Sequence, residues 1–548
     1  MESYNSIPNG YKRGKTKYLI VTGSVMSGVG KGTFTSAIAD LLMFYGLKVS
    51  MIKFDGYLNV DAGTLNPYRH GEVFVLDDGT ETDLDLGSYE RALHKNLNKD
   101  NYLTGGKIFK RIIEKERQGK YLGRDVQFIP HLTGEIKLFI RELALKQKPD
   151  IIIIEVGGTL GDLENSYFIE AMRELKYEEG KSNVSIINVT YIIQNSEGEQ
   201  KSKAAQLGIN KLMSLGIRPD MIACRCKKQV SENIKEKISL VSNIPVKNVI
   251  SFHDQDSIYS VPLYLKQQQA QDIIFKNLDI HPKLQKSFYN KWIKFISRLR
   301  NPKKQIEIAI TGKYTNIKDS YISILKALEH CSALHRCKIK IKWIETTNIE
   351  TLDQAQELLS DVSGIIVPGG FGSRGTEGKI KCIEYARKNN IPFLGLCYGF
   401  QLAVIEYARN LCNLTNANST EIQKTTAPVI DLLPEQKNIK DKGATMRLGR
   451  HLVSIKKPSL AYDFYKKTEI GERFRHRYEV NPEYIKTLEE SGLTFSGIAK
   501  KDKRIMQILE LPKEKHKFFF ATQFHPELTS KPLYPNPCFI NFVQACLN

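Results

Sequence analysis

The chain has 548 residues, which is enough for two to four domains of ordinary size. Hydrophobic residues make up 41% of it and charged residues 26%, a globular composition that excludes collagen-like and low-complexity classes. The formal charge of +20 favours anionic partners, which are nucleic acids, acidic membranes or phosphorylated small molecules.

Local features of the sequence exclude some of these classes of partner. No apolar run approaches the roughly 18–20 residues that span a bilayer, and the first seventeen residues are too polar for a secretory signal. The nine cysteines show no CxxC pairing, which favours free thiols. The basic stretch 281–304 carries no RNA-binding, homeodomain or zinc-finger pattern, so a solvated basic surface is favoured over nucleic-acid binding. We therefore expect a cytoplasmic protein with neither a membrane nor a nucleic-acid partner.

Alternating strand and helix patterns predict a first domain over residues 17–280, after a flexible tail at 1–16. An apolar, β-rich run at 18–22 leads into a glycine-rich turn, and apolar residues from 34 to 45 then recur at helical spacing. The alternation continues with apolar runs at 49–54, 151–156, 185–193 and 221–224. This pattern predicts a doubly wound parallel sheet of the P-loop-like α/β type.

A second α/β domain is predicted over residues 306–548. A strand pattern at 306–311 is followed by a helix pattern at about 319–334 and by strand patterns at 338–344, 364–367 and 392–396. Between the two domains, apolar residues spaced among lysines predict an amphipathic, basic linker helix within 281–305.

The loop after the first strand has the features of a phosphate-binding turn. Residues 22–33 read TGSVMSGVGKGT, in which glycines let backbone N–H groups face a phosphate and Lys31 adds a positive charge. The spacing departs from G-x4-G-K-[ST], because Val25 stands where the first glycine belongs and Gly32 follows the lysine. An ordinary glycine-rich turn is the alternative interpretation.

Carboxylates near this loop suit a hard cation. Glu81, Asp83 and Asp85 alternate, so an extended chain would place them on one face, where their oxygens would suit Mg²⁺. Glu155 ends the apolar strand IIIIEV, where burial without a charged partner is costly. Lys53 follows the second strand and could reach phosphates on the loop. The alternative interpretation is that Glu81, Asp83 and Asp85 form a solvated acidic edge and not a metal site.

A thiol nucleophile is predicted in the second domain. In GLCYG, a strand ends at Cys397 and a helix begins, which holds the thiol on a sharp turn. The N–H group of Tyr398 and the glycine-rich stretch 368–372 would form an oxyanion hole. His525 and Glu527 are two residues apart, so an extended chain would let the carboxylate orient the imidazole as base.

Taken in order, these motifs resemble those of the CTP synthase family from about residue 17 to residue 548. The matching segments are VTGSVMSGVGKG, NVDAGT, HGEVFVLDDGTETDLDLG, EVGGTLGDLE, QDSIY, VPGGFGSRG, GLCYGFQ, NANSTE, TMRLG, HRYEVN and QFHPE. The resemblance implies an amidoligase domain joined to a class I glutamine amidotransferase domain. It also implies ATP-dependent amination of UTP to CTP through a 4-phosphorylated UTP, with ammonia released from glutamine and passed between the domains.

The same resemblance implies roles for individual residues. The catalytic residues would be Cys397, His525 and Glu527. ATP would be bound by Gly28, Val29, Gly30, Lys31, Gly32, Thr33, Lys53 and Asp85. Mg²⁺ would be held by Asp85 and Glu155. UTP, and CTP as feedback inhibitor, would be bound by Ser27, Asp162, Leu163, Glu164, Lys201, Ser202, Lys203, Ala204, Ala205, Gln206 and Lys237. Glutamine would be bound by Gly370, Tyr398, Gln401, Glu421 and Arg477, and the segment 443–449 resembles the lid through which GTP activates glutamine hydrolysis.

The chain departs from the family pattern after Lys203. It has Ala204, Ala205 and Leu207 where bacterial members often carry Pro, Thr and His, which bears on nucleotide discrimination and feedback inhibition. Members usually form homotetramers and often filaments, so we expect a homotetramer by resemblance. Two alternatives remain open: a cobyrinate-type amidase, which joins the same two modules, and a non-catalytic assembly component.

Overall fold

The computed structural model describes residues 6–66, 70–312, 318–432 and 446–548. The chain divides into two compact units. Residues 1–62 and 88–292 form the first unit, and residues 63–87 and 293–548 form the second. Among the described residues, no helix combines the length and the apolar character needed to cross a membrane.

The described strands, in chain order, are β1 Lys17–Gly23, β2 Val49–Asp55, β3 Phe74–Val75, β4 Glu81–Thr82, β5 Tyr102–Thr104, β6 Ile151–Val156, β7 Val184–Tyr191, β8 Ile193–Gln194, β9 Gln200–Lys201, β10 Met221–Cys226, β11 Val249–His253, β12 Lys304–Gly312, β13 Cys337–Glu345, β14 Gly364–Val367, β15 Phe393–Leu396, β16 Ala417–Ser419, β17 Ala427–Leu432, β18 Arg447–Ile455, β19 Glu469–His476, β20 Tyr478–Val480, β21 Thr494–Ala499, β22 Met506–Glu510 and β23 Phe519–Thr522. The described α-helices are α1 Lys31–Met43, α2 Leu84–Leu93, α3 Gly105–Arg117, α4 Thr133–Gln147, α5 Ser166–Glu179, α6 Lys203–Ser214, α7 Glu232–Ser242, α8 Val261–Gln267, α9 Ala270–Leu278, α10 Lys286–Arg300, α11 Ile322–His335, α12 Leu352–Leu359, α13 Thr376–Lys388, α14 Tyr398–Leu411, α15 Leu460–Tyr465, α16 Pro482–Glu490 and α17 Pro537–Leu547.

The first unit is built on a parallel seven-stranded sheet in the order β11-β10-β7-β1-β6-β2-β5. Its central strands are apolar along their length because helices cover both faces, and Ile151–Ile154 are fully buried. The register sets Lys53 of β2 opposite Glu155 of β6. The predicted doubly wound α/β fold is confirmed.

The described part of the predicted tail packs against this unit. The Tyr11 hydroxyl donates to Oε2 of Glu179 at 2.8 Å, and the backbone oxygen and hydroxyl of Ser6 accept from Nη1 of Arg141 at 3.1 and 2.9 Å. These contacts join Ser6 and Tyr11 to the rest of the first unit, and the flexibility of the tail stays a prediction. Residues 1–5 lie outside the described residues.

The second unit is built on a nine-stranded sheet in the order β13-β12-β14-β15-β23-β22-β21-β18-β19. Neighbouring strands in the series β13-β12-β14-β15-β23 are parallel. Neighbouring strands in the series β23-β22-β21-β18-β19 are antiparallel. The carboxyl ends of β14, β15 and β23 lie at one edge, where ligand sites of open parallel sheets occur. This edge carries the glycine-rich stretch 368–372, Cys397 and His525.

The two units differ from the predicted domains at two places. Residues 63–87, predicted in the first domain, belong to the second unit, where Asp77 and Glu81 form ion pairs with Arg473 and Arg475. The predicted linker helix is α10, and its Trp292 belongs to the first unit and is fully buried. The indole Nε1 of Trp292 donates to the backbone oxygen of Tyr259 at 3.0 Å. This hydrogen bond and the burial of the indole hold the part of α10 around Trp292 in the first unit.

Candidate functional site

Cys397 occupies the sharp turn that the sequence predicts. Strand β15 ends at Leu396 and α14 begins at Tyr398, with Cys397 between them at φ 49° and ψ −93°. A positive φ is strained for a residue with a side chain, and such strain is typical of functional turns. Gly399 is required here, since a Cβ at that position would lie 2.1 Å from the backbone oxygen of Val367. The turn places the thiol at the amino end of a helix.

His525 and Glu527 form a buried pair. The Nδ1 atom of His525 lies 2.7 Å from Oε1 of Glu527. The contact forms across the start of a 3₁₀ turn, Pro526–Thr529, rather than along an extended chain, which corrects the predicted local geometry. Burial by itself lowers the pKa of His525, but interactions with Glu527 and Cys397 outweigh burial, and the pKa is raised well above its ordinary value. The Glu527 carboxylate therefore orients the imidazole through Nδ1.

Cys397, His525 and Glu527 line one cavity of about 120 Å³. Gly369 and Gly370 line it as well, and the backbone of Gly369 lies close to the imidazole of His525. The cavity thus brings together a thiol, an imidazole, a carboxylate and glycine-rich backbone, the groups that acyl transfer through a thiol requires.

The other residues of the predicted glutamine pocket are held by hydrogen bonds. Burial raises the pKa of Tyr398, whose hydroxyl donates to the backbone oxygen of Gly372 at 2.7 Å. The Oε1 atom of Glu421 accepts from the N–H of Gly372 at 2.9 Å. Gln401 donates through Nε2 to the backbone oxygen of Tyr478 at 2.9 Å. These contacts fix the loop that carries Gly370.

Arg475 is a residue of this site that sequence reasoning missed. It lines the cavity, whereas Arg477 is not among the cavity-lining residues within the described ranges. The binding of glutamine by Arg477, which the family resemblance implies, stays a prediction. Arg477 lies half-buried between β19 and β20. The alternation of basic residues in RFRHR, together with the strand pattern, was the signal that could have indicated Arg475.

The predicted phosphate loop lies at the carboxyl end of β1. Gly28 and Gly30 have φ values of 75° and 88°, which favour glycine, and α1 begins at Lys31. The buried Nζ of Lys31 donates to the backbone oxygen of Gly158 at 2.6 Å. Ser27 is exposed at the tip of the loop. A glycine-rich loop before a helix start is the setting in which phosphates bind, and the predicted ATP site stays a prediction.

Lys53 and Glu155 form a buried ion pair beside this loop in the sheet. The Nζ atom of Lys53 lies 2.7 Å from Oε1 of Glu155, and the Tyr89 hydroxyl donates to Oε2 of Glu155 at 2.5 Å. Among the described residues, no group of three or more His, Cys, Asp or Glu could hold a metal ion. Asp85, at the start of α2, belongs to the second unit and Glu155 to the first, so the predicted pairing of these two ligands stays a prediction.

The alternating acids at 81–85 do not share one extended face. Glu81 lies in β4 and is buried, with Oε1 2.7 Å from Nε of Arg475. Asp83 accepts from the backbone N–H of Asp85 at 2.8 Å, and the chain turns into α2. The prediction of a three-carboxylate face is wrong, because the strand ends after Thr82.

The predicted pyrimidine residues lie on exposed loops and helices of the first unit. The loop that carries Asp162, Leu163 and Glu164 is tied to β1 by the N–H of Leu160, which donates to the backbone oxygen of Gly23 at 3.0 Å. Lys201 ends β9, and α6 begins at Lys203. Among the predicted nucleotide-binding residues at this helix start, Ser202 and Ala205 are buried. The others are Lys203, Ala204 and Gln206. Lys237 is exposed on α7.

Two family models match different parts of the chain. The family model of the CTP synthase N-terminus matches residues 17–280, and that of class I glutamine amidotransferase matches residues 316–545. The CTP synthase of Pyrococcus abyssi is 50% identical over 532 residues, which cover 97% of this chain and 98% of that protein. The CTP synthase of Archaeoglobus fulgidus is 47% identical over the same length and coverage.

A solved structure is also similar. The glutaminase domain of Trypanosoma brucei CTPS with bound acivicin is 37% identical, covers 44% of this chain and 94% of that chain, and gives a TM-score of 0.42. The two family matches and the relatives, which extend over nearly the whole chain, decide the assignment. The chain belongs to the CTP synthase family of glutamine-hydrolysing ligases.

Proposed function

We propose that this member of the CTP synthase family makes CTP from UTP in pyrimidine biosynthesis, using ATP and ammonia that it releases from glutamine. The observation that supports the proposal most directly is the cavity shared by Cys397, His525 and Glu527, in a chain that also carries a phosphate loop at Lys31. The corrinoid-amidating alternative is not favoured by any observation on the described residues.

Glutamine hydrolysis is proposed to run through a thioester. The Sγ atom of Cys397 attacks the side-chain amide carbon while His525 takes the thiol proton, and the C–N bond breaks as that proton passes to the departing ammonia. The N–H groups of Tyr398 and of the loop at Gly370 stabilise the oxyanion. Water then attacks the thioester while His525 takes one of its protons, and that proton passes to Sγ as the C–S bond breaks and glutamate leaves. Glu527 orients the imidazole and stabilises its positive charge.

The first unit is proposed to activate the pyrimidine. Oxygen on C4 of UTP is a poor leaving group, so the γ-phosphoryl group of ATP is transferred to it, and ADP forms. Ammonia then attacks C4, loses a proton and displaces phosphate, which yields CTP. The backbone of Gly28–Thr33 and the ammonium of Lys31 stabilise the phosphate charge during transfer. Lys53 lies buried in β2, which β6 separates from β1, and its ammonium pairs with Glu155.

Mg²⁺ is proposed to accompany ATP. The donor chemistry fits, because Mg²⁺ takes oxygen ligands and is usually bound by one or two carboxylates together with substrate phosphates. The residues that would hold it are Asp85 and Glu155, and when bound it would neutralise phosphate charge. The Glu155 carboxylate accepts hydrogen bonds from Tyr89 and Lys53, which hold it in place.

Binding and regulation follow the family resemblance in this proposal. UTP, and CTP as inhibitor, bind the residues assigned to them on the loop at 162–164, at 201–206 and at Lys237. GTP activates glutamine hydrolysis through the segment 443–449, of which residues 443–445 lie outside the described residues. We further propose a cytoplasmic homotetramer that is able to form filaments.

The test is an amination assay with UTP, ATP and Mg²⁺, supplied either with glutamine or with ammonia, in which absorbance of the cytosine ring is followed. We expect CTP with both nitrogen sources, and none when ATP is omitted. Consumption of ATP and glutamine without a cytidine product would contradict the proposal. A corrinoid amidase would leave UTP unchanged, and a non-catalytic assembly component would consume neither substrate.

A further inference from the structure

Strand β19 contacts both the nucleophile and the base through its backbone. The backbone oxygen of Arg475 lies 3.6 Å from Sγ of Cys397, which donates to it. The backbone oxygen of Arg473 accepts from the N–H of His525 at 2.8 Å. Since Arg473 and Arg475 are two residues apart on one strand, a shift of this strand moves both contacts together.

The side chains of the same two arginines bind the segment 63–87, which we call the inserted segment. Nε of Arg473 lies 2.6 Å from Oδ1 of Asp77, and Nε of Arg475 lies 2.7 Å from Oε1 of Glu81. The side chains of Arg473 and Glu81 are 0% and 1% exposed. Their partners Asp77 and Arg475 are 31% and 24% exposed, so each pair joins one buried and one partly exposed side chain. Removing the more exposed partner would leave a buried charge.

The backbone of the inserted segment also contacts β18. The N–H of Arg450 in β18 donates to the backbone oxygen of Asp77 at 2.9 Å. Gly449 has φ 82°, and a Cβ there would lie 2.5 Å from the backbone nitrogen of Gly79. Strands β18 and β19 pair along their length, so the inserted segment is held by both of them.

We propose that Glu81 and Arg475 are positioning residues for glutamine hydrolysis. The pair holds β19 in the position in which the backbone oxygens of Arg475 and Arg473 contact Cys397 and His525. This position keeps the thiol and the imidazole together at the cavity. Glu81 is not itself among the cavity-lining residues within the described ranges, whereas Arg475 is. Loss of the Glu81 charge therefore acts on the rate of the chemical step and not on the binding of glutamine. The inference rests on the proposed thiol glutaminase.

The experiment measures glutamate release at saturating UTP and ATP for the parent chain, Glu81→Gln, Arg475→Gln and the double variant. We expect Glu81→Gln to lower kcat about tenfold with KM changed less than about twofold, since a small displacement of catalytic groups is costly in rate. The double variant should lose little more than Arg475→Gln, because the two residues act as one unit. Synthesis from supplied ammonia should persist in Arg475→Gln.

Controls separate positioning from general stability. Lys342 and Asp361 form an exposed ion pair of 2.6 Å in the same unit, so Lys342→Gln and Asp361→Asn should leave kcat unchanged. If Glu81→Gln fails to fold, Asp77→Asn neutralises the more exposed partner of Arg473 and should lower kcat in the same way. An unchanged kcat in a folded Glu81→Gln, or a loss confined to KM, would overturn the inference. A parent chain without glutaminase activity would overturn the proposed function instead.

Discussion

The Nδ1 atom of His525 lies 2.7 Å from Oε1 of Glu527, and both side chains line the cavity that contains Cys397. Burial disfavours a charged imidazole, yet the neighbouring negative groups raise the pKa of His525 well above its ordinary value. The carboxylate thus sets both the orientation and the basicity of the ring.

This relationship predicts a pH shift. Glu527→Gln removes a charge that raises the pKa of His525, so that pKa should fall, and the part of the pH profile controlled by the imidazole should move to lower pH. The rate at the optimum should fall about 100-fold, because the ring loses its fixed orientation. The measurement is kcat/KM for glutamine hydrolysis against pH. Glu514→Gln, at an exposed glutamate of the second unit, is the control, and an unshifted profile in Glu527→Gln would contradict the assignment.

A second prediction separates the two activities. Cys397→Ala should abolish synthesis of CTP with glutamine and retain synthesis with supplied ammonia, because only the first route needs the thiol. Cys412→Ala, at a half-buried cysteine elsewhere in the second unit, should retain both routes. The measurement is cytosine absorbance with each nitrogen source. Loss of both routes in a folded Cys397→Ala would refute this division of labour.

A third prediction concerns the phosphate loop. Lys31→Ala should lower synthesis about 100-fold or more with either nitrogen source, because phosphoryl transfer precedes amination in both routes. Lys181→Ala, at an exposed lysine of the same unit, should have no such effect. Rates are compared at saturating ATP. Substantial ammonia-dependent synthesis by Lys31→Ala would count against the assigned ATP site.

A fourth prediction concerns the stability of the first unit. Lys53→Met should lower the free energy of unfolding by about 3 kcal/mol, because it leaves the buried Glu155 carboxylate without its cation. The further change Glu155→Gln removes that charge and should restore part of the loss. The measurement is denaturant unfolding of both variants and the parent chain. Equal stability of Lys53→Met and the parent would show that the ion pair contributes nothing.

The amino-acid sequence by itself determined the features that depend on neighbouring residues. Apolar strands such as 151–156, the glycine-rich turn before Lys31 and the turn at Cys397 follow from burial, backbone freedom and the junction of a strand with a helix, which are local properties. Their order along the chain was enough to predict two α/β units and the thiol cavity.

Only the tertiary structure decided which distant charges meet. The sequence grouped Glu81 with Asp83 and Asp85 as carboxylates suited to a metal, whereas folding pairs Glu81 with Arg475 and brings Arg475 to the cavity. It also moved residues 63–87 into the second unit. The reason is physical: an ion pair between residues nearly 400 positions apart depends on strand register and burial, and no local pattern of side chains encodes either one.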